Sequence, residues 1–325
     1  MDILSVLCFI IRMNILGILP HSIGGRLTIS SVFDGFVQNG HIVDIYDELK
    51  SDNFLEFIYQ KDYDYIVGYD FSPIKLKVDN NLPFKLIAYF SDVIEGKASG
   101  VGENWKKYVP YLSCQDNYIF YWDRVLCEQY KQDNIFYFPH FVNVDIYKPL
   151  NYKKDFDIMF AGRLDTDYRL NFFIELMQTF PKLRFGWFAI QKHFHDALSR
   201  TEEKDLLEKA YIGFVDNETS MAKAINRSKI VINMHSQGVS SLNYRTIQTV
   251  ACKTLMLTDF REELDLFGGN IPFYVSFSDL IDKINYYLDN EKAYKYVTNT
   301  CYEIASQHLN SKICVDLMLK KINHK

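Results

Sequence analysis

Residues 229–258 read KIVINMHSQGVSSLNYRTIQTVACKTLMLT, and this stretch decides the fold. Its first part, Lys229–Met234, is an apolar run with the length and composition of a buried strand. A loop of small polar residues follows, then a helical pattern over residues 242–252, and then a second apolar run at Thr254–Thr258. Two buried strands joined through a helix form a βαβ unit with parallel strands. The stretch therefore predicts a parallel sheet covered by helices.

The same alternation of strand and helix patterns extends over the whole chain. In the first half we predict strands at Asn14–Leu19, Ile42–Tyr46, Tyr65–Gly68, Lys85–Phe90, Tyr118–Tyr121 and Ile135–Phe138. In the second half we predict them at Phe156–Ala161, Leu183–Phe188, Lys229–Met234, Thr254–Thr258 and Pro272–Val275. Helical patterns lie between them, at 27–38, 168–179, 217–227 and 242–252, and fill the tail from 278 to 323. Two series of strands indicate two sheets.

The length of 325 residues suits two domains. The segment Pro139–Lys154 carries two prolines and a polar run, so it is the best candidate for a linker. We predict an α/β fold of two Rossmann-like domains, residues 1–148 and 149–325, facing each other across a cleft, with helices at the C-terminal end. In open α/β sheets ligands bind beyond the carboxyl ends of the strands, so functional residues are expected at the strand-to-helix turns of both domains.

Composition and missing motifs exclude several functions. The net charge of −5 makes a nucleic-acid partner improbable, because binding phosphates requires a basic surface. The sequence has no P-loop, and Gly100-Val-Gly102 lacks the third glycine of a dinucleotide-binding loop because Trp105 occupies its place. Aromatic residues make up 16% of the chain. This excess reflects either sugar-binding surfaces or a codon bias that enriches aromatic residues everywhere. Their spread over both halves favours codon bias and leaves Phe90 and Tyr244 as candidates for sugar stacking.

Targeting features are absent from the N-terminal sequence. The apolar run Ile3–Ile11 is shorter than the roughly 20 residues that span a bilayer, and neither a basic segment nor a signal cleavage site accompanies it. The first twelve residues are either an extension from an upstream start or a segment in weak contact with a membrane. Six cysteines form no Cys-x-x-Cys pair, which suits reduced thiols. We predict a cytoplasmic protein and leave peripheral contact with the inner membrane face open.

The polar loop in the opening stretch, together with the helix that follows it, is the strongest candidate site. Free N–H groups at a helix start bind anions, and Arg245, one turn into the helix, adds a guanidinium that can bind a diphosphate. Gln248 lies on the same helix face, where it could bond ribose hydroxyls. His235 is either part of this site or an ordinary hydrogen-bonded loop histidine. The candidate donor-binding residues here are His235, Ser240, Ser241, Asn243, Tyr244, Arg245 and Gln248.

The turn after Phe156–Ala161 carries two more candidate donor-binding residues. Arg163 follows the strand, and Arg169 lies in the first turn of the next helix. A cation is unfavourable at a helix N-terminus, so Arg169 makes sense there if an anion binds beside it. The alternative is a surface salt bridge to Asp165 or Asp167.

In the first domain the candidates face the predicted cleft from the other side. Gly24 and Gly25 open the first helix, where they either form an acceptor-side loop or a plain strand-to-helix turn. Asp92 and His21 are our candidates for a catalytic base, because both follow predicted strands. Three Asp-x-Asp triplets, at 62–64, 155–157 and 165–167, match a pattern that can bind a divalent metal ion, but such triplets arise by chance in an acidic chain. We therefore predict no metal and no cofactor.

These motifs resemble those of the GT-B glycosyltransferases, closest to the group-1 and spore maturation protein CgeB-like kind. The segment Arg245–Lys253, followed by the strand Thr254–Asp259, is similar to their donor-site helix, which reads Arg-x-Phe-Glu-x-x-Ala-Cys-Gly before an apolar strand ending in Thr-Asp. Phe138–Pro149 resembles their interdomain segment, and Asp157–Gly162 resembles the start of their second domain. The similarity covers roughly residues 85–305.

The resemblance implies a metal-independent transferase that moves a sugar from a nucleotide-diphosphate sugar to a glycan or lipid-linked acceptor, as in surface polysaccharide synthesis, with retention of configuration. Two positions depart from the family pattern: Gln248 replaces the acid that binds the donor ribose, and Lys253 replaces a glycine. Glutamine can still bond hydroxyls, but without the strength of a carboxylate. Two alternatives remain: a non-catalytic glycan-binding or surface-assembly protein on this scaffold, and a nucleotide-sugar epimerase.

Overall fold

The computed structural model describes residues 12–50, 53–93, 103–236 and 238–323. Within these ranges the chain forms two parallel sheets of six strands each. The first sheet has the order β2-β1-β3-β4-β5-β6, with β1 Asn14–Leu19, β2 Ile42–Asp47, β3 Tyr65–Tyr69, β4 Lys85–Phe90, β5 Asn117–Tyr121 and β6 Ile135–Tyr137. The second has the order β12-β11-β10-β7-β8-β9, with β7 Phe156–Ala161, β8 Phe185–Phe188, β9 Tyr211–Gly213, β10 Ser228–Asn233, β11 Leu255–Asp259 and β12 Phe273–Tyr274.

Helices surround both sheets. In the first half they are α1 Ile23–Gln38, α2 Phe54–Ile58, α3 Ser72–Asp79, α4 Glu103–Lys106 and α5 Arg124–Tyr130. In the second half they are α6 Asp167–Thr179, α7 Gln191–Ser199, α8 Lys204–Ala210, α9 Glu218–Asn226, α10 Tyr244–Ala251, α11 Phe277–Asp289, α12 Glu291–His308 and α13 Ser311–Asn323. Short 3₁₀ helices occupy Val109–Ser113 and Glu262–Phe267. None of the described helices is both long and apolar enough to cross a membrane.

The two predicted Rossmann-like sheets are confirmed, and most strand bounds lie within two residues of the prediction. The prediction missed β9, an edge strand of three residues that is too short to show a periodic pattern. It also began α10 too early. Asn243 caps this helix, since its side chain accepts the N–H of Thr246 at 3.1 Å, so Ser241 and Leu242 still belong to the loop. The prediction for the first twelve residues falls almost wholly outside the described part of the chain.

The tail ties the two halves of the chain together. After α12 the chain crosses back, and α13 packs against α1 of the first half. Gly35 permits the approach, because a Cβ added there would lie 2.4 Å from the carbonyl oxygen of Ser311. One continuous apolar core accordingly runs from Ile29 of α1 through Val142 to Val315 of α13. The division at residue 148 stays a prediction, and the last helix packs on α1, the first helix of the first half.

Candidate active site

A cavity of about 620 Å³ lies where loops after the strands of both sheets meet; we call it the cleft. The first half contributes the start of α1, Tyr69 and Asp92, and the second half contributes Gly162, Arg163 and Arg245. One end is apolar and is lined by Phe188, Ala189, Ile190, Phe214, Val215 and Met221. This size and this mixture of apolar wall and few polar groups are typical of a small-molecule site.

The start of α1 forms one wall of the cleft, as predicted for Gly24 and Gly25. Ser22 caps the helix and accepts the N–H of Gly25 at 3.3 Å. A Cβ at Gly25 would lie 2.7 Å from the ring of Tyr69, whereas one at Gly24 would meet nothing within 4 Å. Gly25 is therefore required for packing, and Gly24 leaves the helix start open to a ligand.

Arg245, from the second half of the chain, also lines the cleft. Its Nη1 donates to Oε1 of Gln248 at 2.5 Å, and the Nε2 of Gln248 in turn donates to the hydroxyl of Tyr147 at 2.5 Å. The Nε of Arg245 is buried and has no hydrogen-bond partner among the described residues. Burial lowers the pKa of this guanidinium, which is the cost of holding a cation away from water. A buried N–H donor without a partner, at a cavity wall, is suited to an anionic ligand.

Gln248 itself is wholly buried and is not among the residues that line the cleft. Both ends of its amide are bonded to protein, so in this structure it orients Arg245. Its contact with a donor ribose stays a prediction.

The two predicted arginines after β7 have different environments. Arg163 lines the cleft with about half of its side chain exposed, and its Nε lies 3.4 Å from Asp165. Arg169 is buried, donates to the carbonyl oxygen of Met234 at 2.7 Å and to Asp165 at 3.2 Å, and does not line the cleft. Arg169 therefore fastens the end of β10 to α6, while Arg163 is available to a ligand.

The loop before α10 does not present its N–H groups to the cleft. The buried carboxylate of Asp123, at the end of β5, accepts the N–H groups of Val239, Ser240 and Ser241 at 2.6, 3.0 and 3.2 Å. The hydroxyl of Ser240 also donates to Asp123 at 3.0 Å and is 3.1 Å from Glu263. The sequence predicted that Ser240 and Ser241 bind an anionic ligand. In the structure, the anion at these N–H groups is Asp123, a carboxylate from the first half of the protein itself.

His235, Asn243 and Tyr244 also serve internal contacts. His235 Nε2 accepts the N–H of Asn243 at 3.1 Å, and its Nδ1 lies 2.6 Å from Asp259. The loop-histidine alternative therefore describes His235 in this structure. The hydroxyl of Tyr244 lies 2.7 Å from the hydroxyl of Ser31 on α1 and donates to the buried Glu218 at 3.0 Å. We call these interdomain contacts of Ser31, Asp123, Glu218, Tyr244 and residues 239–241 the seam.

Asp92 and His21 both line a second, smaller cavity in the first half, and Asp92 also lines the cleft. The His21 side chain is largely exposed, with its Nδ1 3.1 Å from Glu48. Asp92 is therefore the better placed of the two candidate bases, because it alone faces both cavities.

Sequence reasoning missed three residues that shape the site: Asp123, Tyr147 and Glu218. Asp123 had a visible signal, since it follows a buried strand and precedes a helix that it caps by accepting the N–H of Leu126 at 3.0 Å. Tyr147 and Glu218 had none, because their partners Gln248 and Tyr244 lie far along the chain.

Two parallel-sheet domains with a shared cleft and a returning C-terminal helix define the GT-B fold. Residues 169–318 match the family model described as glycosyl transferase-like. None of the curated protein sequences matches the chain. The family match and the fold together support a glycosyltransferase.

Solved structures show the same fold along almost the whole chain. The sucrose-phosphate synthase of Thermosynechococcus elongatus matches with a TM-score of 0.72 at 10% identity, covering 96% of this chain and 99% of that one. HepE of Anabaena, in complex with UDP and glucose, matches with a TM-score of 0.66 at 12% identity, covering 97% and 100%. A DNA-modifying β-glucosyltransferase matches with a TM-score of 0.59 at 15% identity, covering 96% and 100%. At these identities the likeness establishes the fold.

Proposed function

We propose that this protein transfers a sugar from a nucleotide-diphosphate sugar to a hydroxyl of a glycan or glycoconjugate, without a metal. The observation that carries the proposal is the buried, unpartnered Nε of Arg245, a residue that lines the same cleft as the start of α1. A guanidinium with a free N–H in a partly dry cavity stabilises the negative charge that develops on a leaving diphosphate.

Different lining residues of the cleft suit the nucleobase, the diphosphate and the sugar of such a donor. The apolar end beside Phe188 and Phe214 suits the nucleobase, and Arg245 and Arg163 suit the diphosphate. The sugar would then lie between Arg245 and the start of α1, with its C1 directed towards the first half. HepE, which has this fold, is described in complex with UDP and UDP-glucose, and this supports a nucleotide sugar as the donor class.

In the proposed reaction the bond between C1 of the sugar and the diphosphate oxygen breaks, and the acceptor hydroxyl forms the new bond to C1. The leaving diphosphate takes the bonding electrons while Arg245 and Arg163 offset its charge. Asp92 accepts the proton that the attacking hydroxyl loses as the new bond forms. We further propose retention of configuration and a cytoplasmic location. The Arg245–Lys253 motif supports a place in the CgeB-like group.

Calorimetry with UDP, GDP, ADP, CMP and their sugars tests the proposal. A hydrogen bond to a charged group contributes about 1.5–3 kcal/mol, so we expect Arg245→Ala to weaken nucleotide binding about 100-fold. Arg245→Lys keeps the charge but loses the planar donor fork, and an intermediate loss is expected.

The matched control is Arg227→Ala, because Arg227 precedes β10 at the opposite edge of the sheet and pairs with Asp155 at 2.5 Å. It should bind nucleotides as the parent does. Two results contradict the proposal: a parent protein that binds none of these ligands, or equal binding by the parent and Arg245→Ala.

A non-catalytic protein on this scaffold is the second candidate, favoured by Gln248 where the family has an acid. Gln248→Glu discriminates between the two. If this change creates nucleotide-sugar binding that the parent lacks, the parent is the non-catalytic form. Turnover by the parent, followed as release of free nucleotide with a glycosylated product, excludes that form.

A further inference from the structure

A second cavity of about 270 Å³ adjoins the cleft, and no step of the proposed donor chemistry uses it. The two cavities share Ser22, Tyr69 and Asp92 as lining residues. Asp92 therefore stands at the junction, with the donor cavity on one side and the smaller cavity on the other. A group bound in the smaller cavity would approach the donor past this carboxylate.

One wall of the smaller cavity is aromatic. The indole of Trp105 lines it and stacks on Phe71, with ring centroids 6.1 Å apart and the rings 21° from parallel. The ammonium of Lys75 lies 5.8 Å from the centre of the indole. Phe71 is buried, so one side of the indole packs on the protein core.

The other polar residues that line the smaller cavity include hydrogen-bond acceptors. Glu48 is 3.1 Å from Nδ1 of His21, and the hydroxyl of Ser72 donates to it at 3.4 Å. Asp70 is held in the left-handed backbone region, at φ +48°, and accepts the N–H of Ser91 at 2.8 Å. A non-glycine residue in this conformation is strained, and such strain persists where the surroundings fix it. Together with Asp92, these residues place three carboxyl groups in the lining of the cavity.

We propose that this cavity binds the terminal sugar of the acceptor as one uncharged, hydroxyl-bearing ring, packed on Trp105 and oriented by Asp92. The inference rests on the proposed function and adds the acceptor class. Apolar faces of sugar rings pack on aromatic side chains, and sugar hydroxyls donate to carboxylates. The volume is below the range for drug-sized ligands, so it suits a single ring. Burial, reinforced by the charge of Asp92, raises the pKa of Asp70 well above its ordinary value, so Asp70 stays uncharged. Glu48 and Asp92 still outnumber the one lysine among the described lining residues, so a phosphorylated or uronic-acid ring is disfavoured.

The test measures release of free nucleotide by the full chain from UDP-glucose, UDP-galactose, UDP-N-acetylglucosamine and GDP-mannose. The probes are the methyl glycosides of glucose, galactose, mannose and N-acetylglucosamine, set against glucuronic acid and glucose 6-phosphate. We expect neutral glycosides to stimulate release and the two anionic sugars to have little effect. Glu48→Gln should reduce this discrimination by about fivefold.

Trp105→Ala should raise the KM for the neutral glycoside about tenfold and leave nucleotide binding by calorimetry unchanged. Trp105→Phe keeps an aromatic face and should restore most of the loss. Tyr286→Ala, which removes an exposed aromatic residue from α11, is the matched control.

The outcomes separate the two proposals. If the parent binds no nucleotide sugar, the proposed function fails. If nucleotide binding and turnover hold but Trp105→Ala leaves the KM unchanged, the acceptor cavity is overturned. Equal stimulation by neutral and anionic sugars overturns the acceptor class.

Discussion

The seam and the cleft have the same structural elements, but they differ in how their hydrogen-bond donors are satisfied. Each combines the end of a parallel strand with the start of a helix, which is an arrangement that favours anions. In the seam, the N–H groups of residues 239–241 are satisfied by the protein's own Asp123. In the cleft, the Nε of Arg245 has no partner among the described residues.

An unsatisfied donor alone does not distinguish the two, because the buried Oγ of Ser241 in the seam and Nε of Arg169 also lack partners among the described residues. What distinguishes Arg245 is that its residue also lines the cleft, whereas Ser241 and Arg169 do not. A strand end followed by a helix is a common feature, and a carboxylate of the protein itself can accept the hydrogen bonds of its N–H groups. The seam uses such carboxylates to join α1 and β5 of the first half to α10 of the second, while the cleft keeps its guanidinium for a ligand. We therefore expect changes in the seam to alter stability and changes in the cleft to alter binding.

The largest effect is expected for Asp123→Ala. This change leaves four backbone N–H groups, of Leu126 and residues 239–241, without their acceptor, while the Ser240 hydroxyl keeps Glu263. Each unsatisfied buried donor costs about 1–3 kcal/mol, and because the loop can relax we expect a total loss of about 4 kcal/mol in the free energy of unfolding. Urea unfolding measures this change.

Asp133→Ala is the control, because Asp133 is exposed in the turn before β6. A loss below about 1 kcal/mol for Asp123→Ala would show that a ligand or water, and not the protein, is the natural partner of this loop.

A pH dependence from Glu218 is expected to be the next largest effect. Burial, reinforced by the charge of Asp34, raises the pKa of Glu218 to about 7. Between pH 4.5 and 7 the unfolded chain releases this proton while the folded protein keeps it, so the free energy of unfolding falls as the pH rises. At 1.36 kcal/mol per pKa unit, the loss from this residue amounts to about 3 kcal/mol.

Urea unfolding of the parent and of Glu218→Gln across pH 4.5–7.5 isolates this contribution. Glutamine keeps an acceptor for Tyr244 but has no proton to lose, so its curve should be flatter by about 3 kcal/mol. Burial also raises the pKa of Glu263, to about 6. Glu263 therefore changes the free energy of unfolding of the parent and of Glu218→Gln equally with pH, and its contribution cancels when the two curves are subtracted. Parallel curves would contradict the prediction, and Glu208→Gln on the exposed face of α8 is the control.

The sequence predicts the fold well because parallel strands covered on both faces give continuous apolar runs. The bounds of β1, β4 and β7 agree with the prediction for this reason. Side-chain partners at the site are harder to predict. The residues 239–241 and Arg245 belong to one motif, and their local sequence is equally suited to an anion. Only the position of Asp123, more than a hundred residues earlier, decides which of them is free.

The smallest effects are expected for the two arginines after β7, and they give the sharpest test of the comparison. Arg169→Ala removes the donor to the Met234 carbonyl and should lower the free energy of unfolding by about 2 kcal/mol. Arg163→Ala should leave stability within about 0.5 kcal/mol of the parent, because its side chain is half-exposed. Nucleotide binding should weaken about fivefold for Arg163→Ala, and less at high salt, since an exposed charge is screened. If Arg169→Ala instead impairs binding at unchanged stability, the structural role assigned to Arg169 is wrong, and both arginines face the ligand.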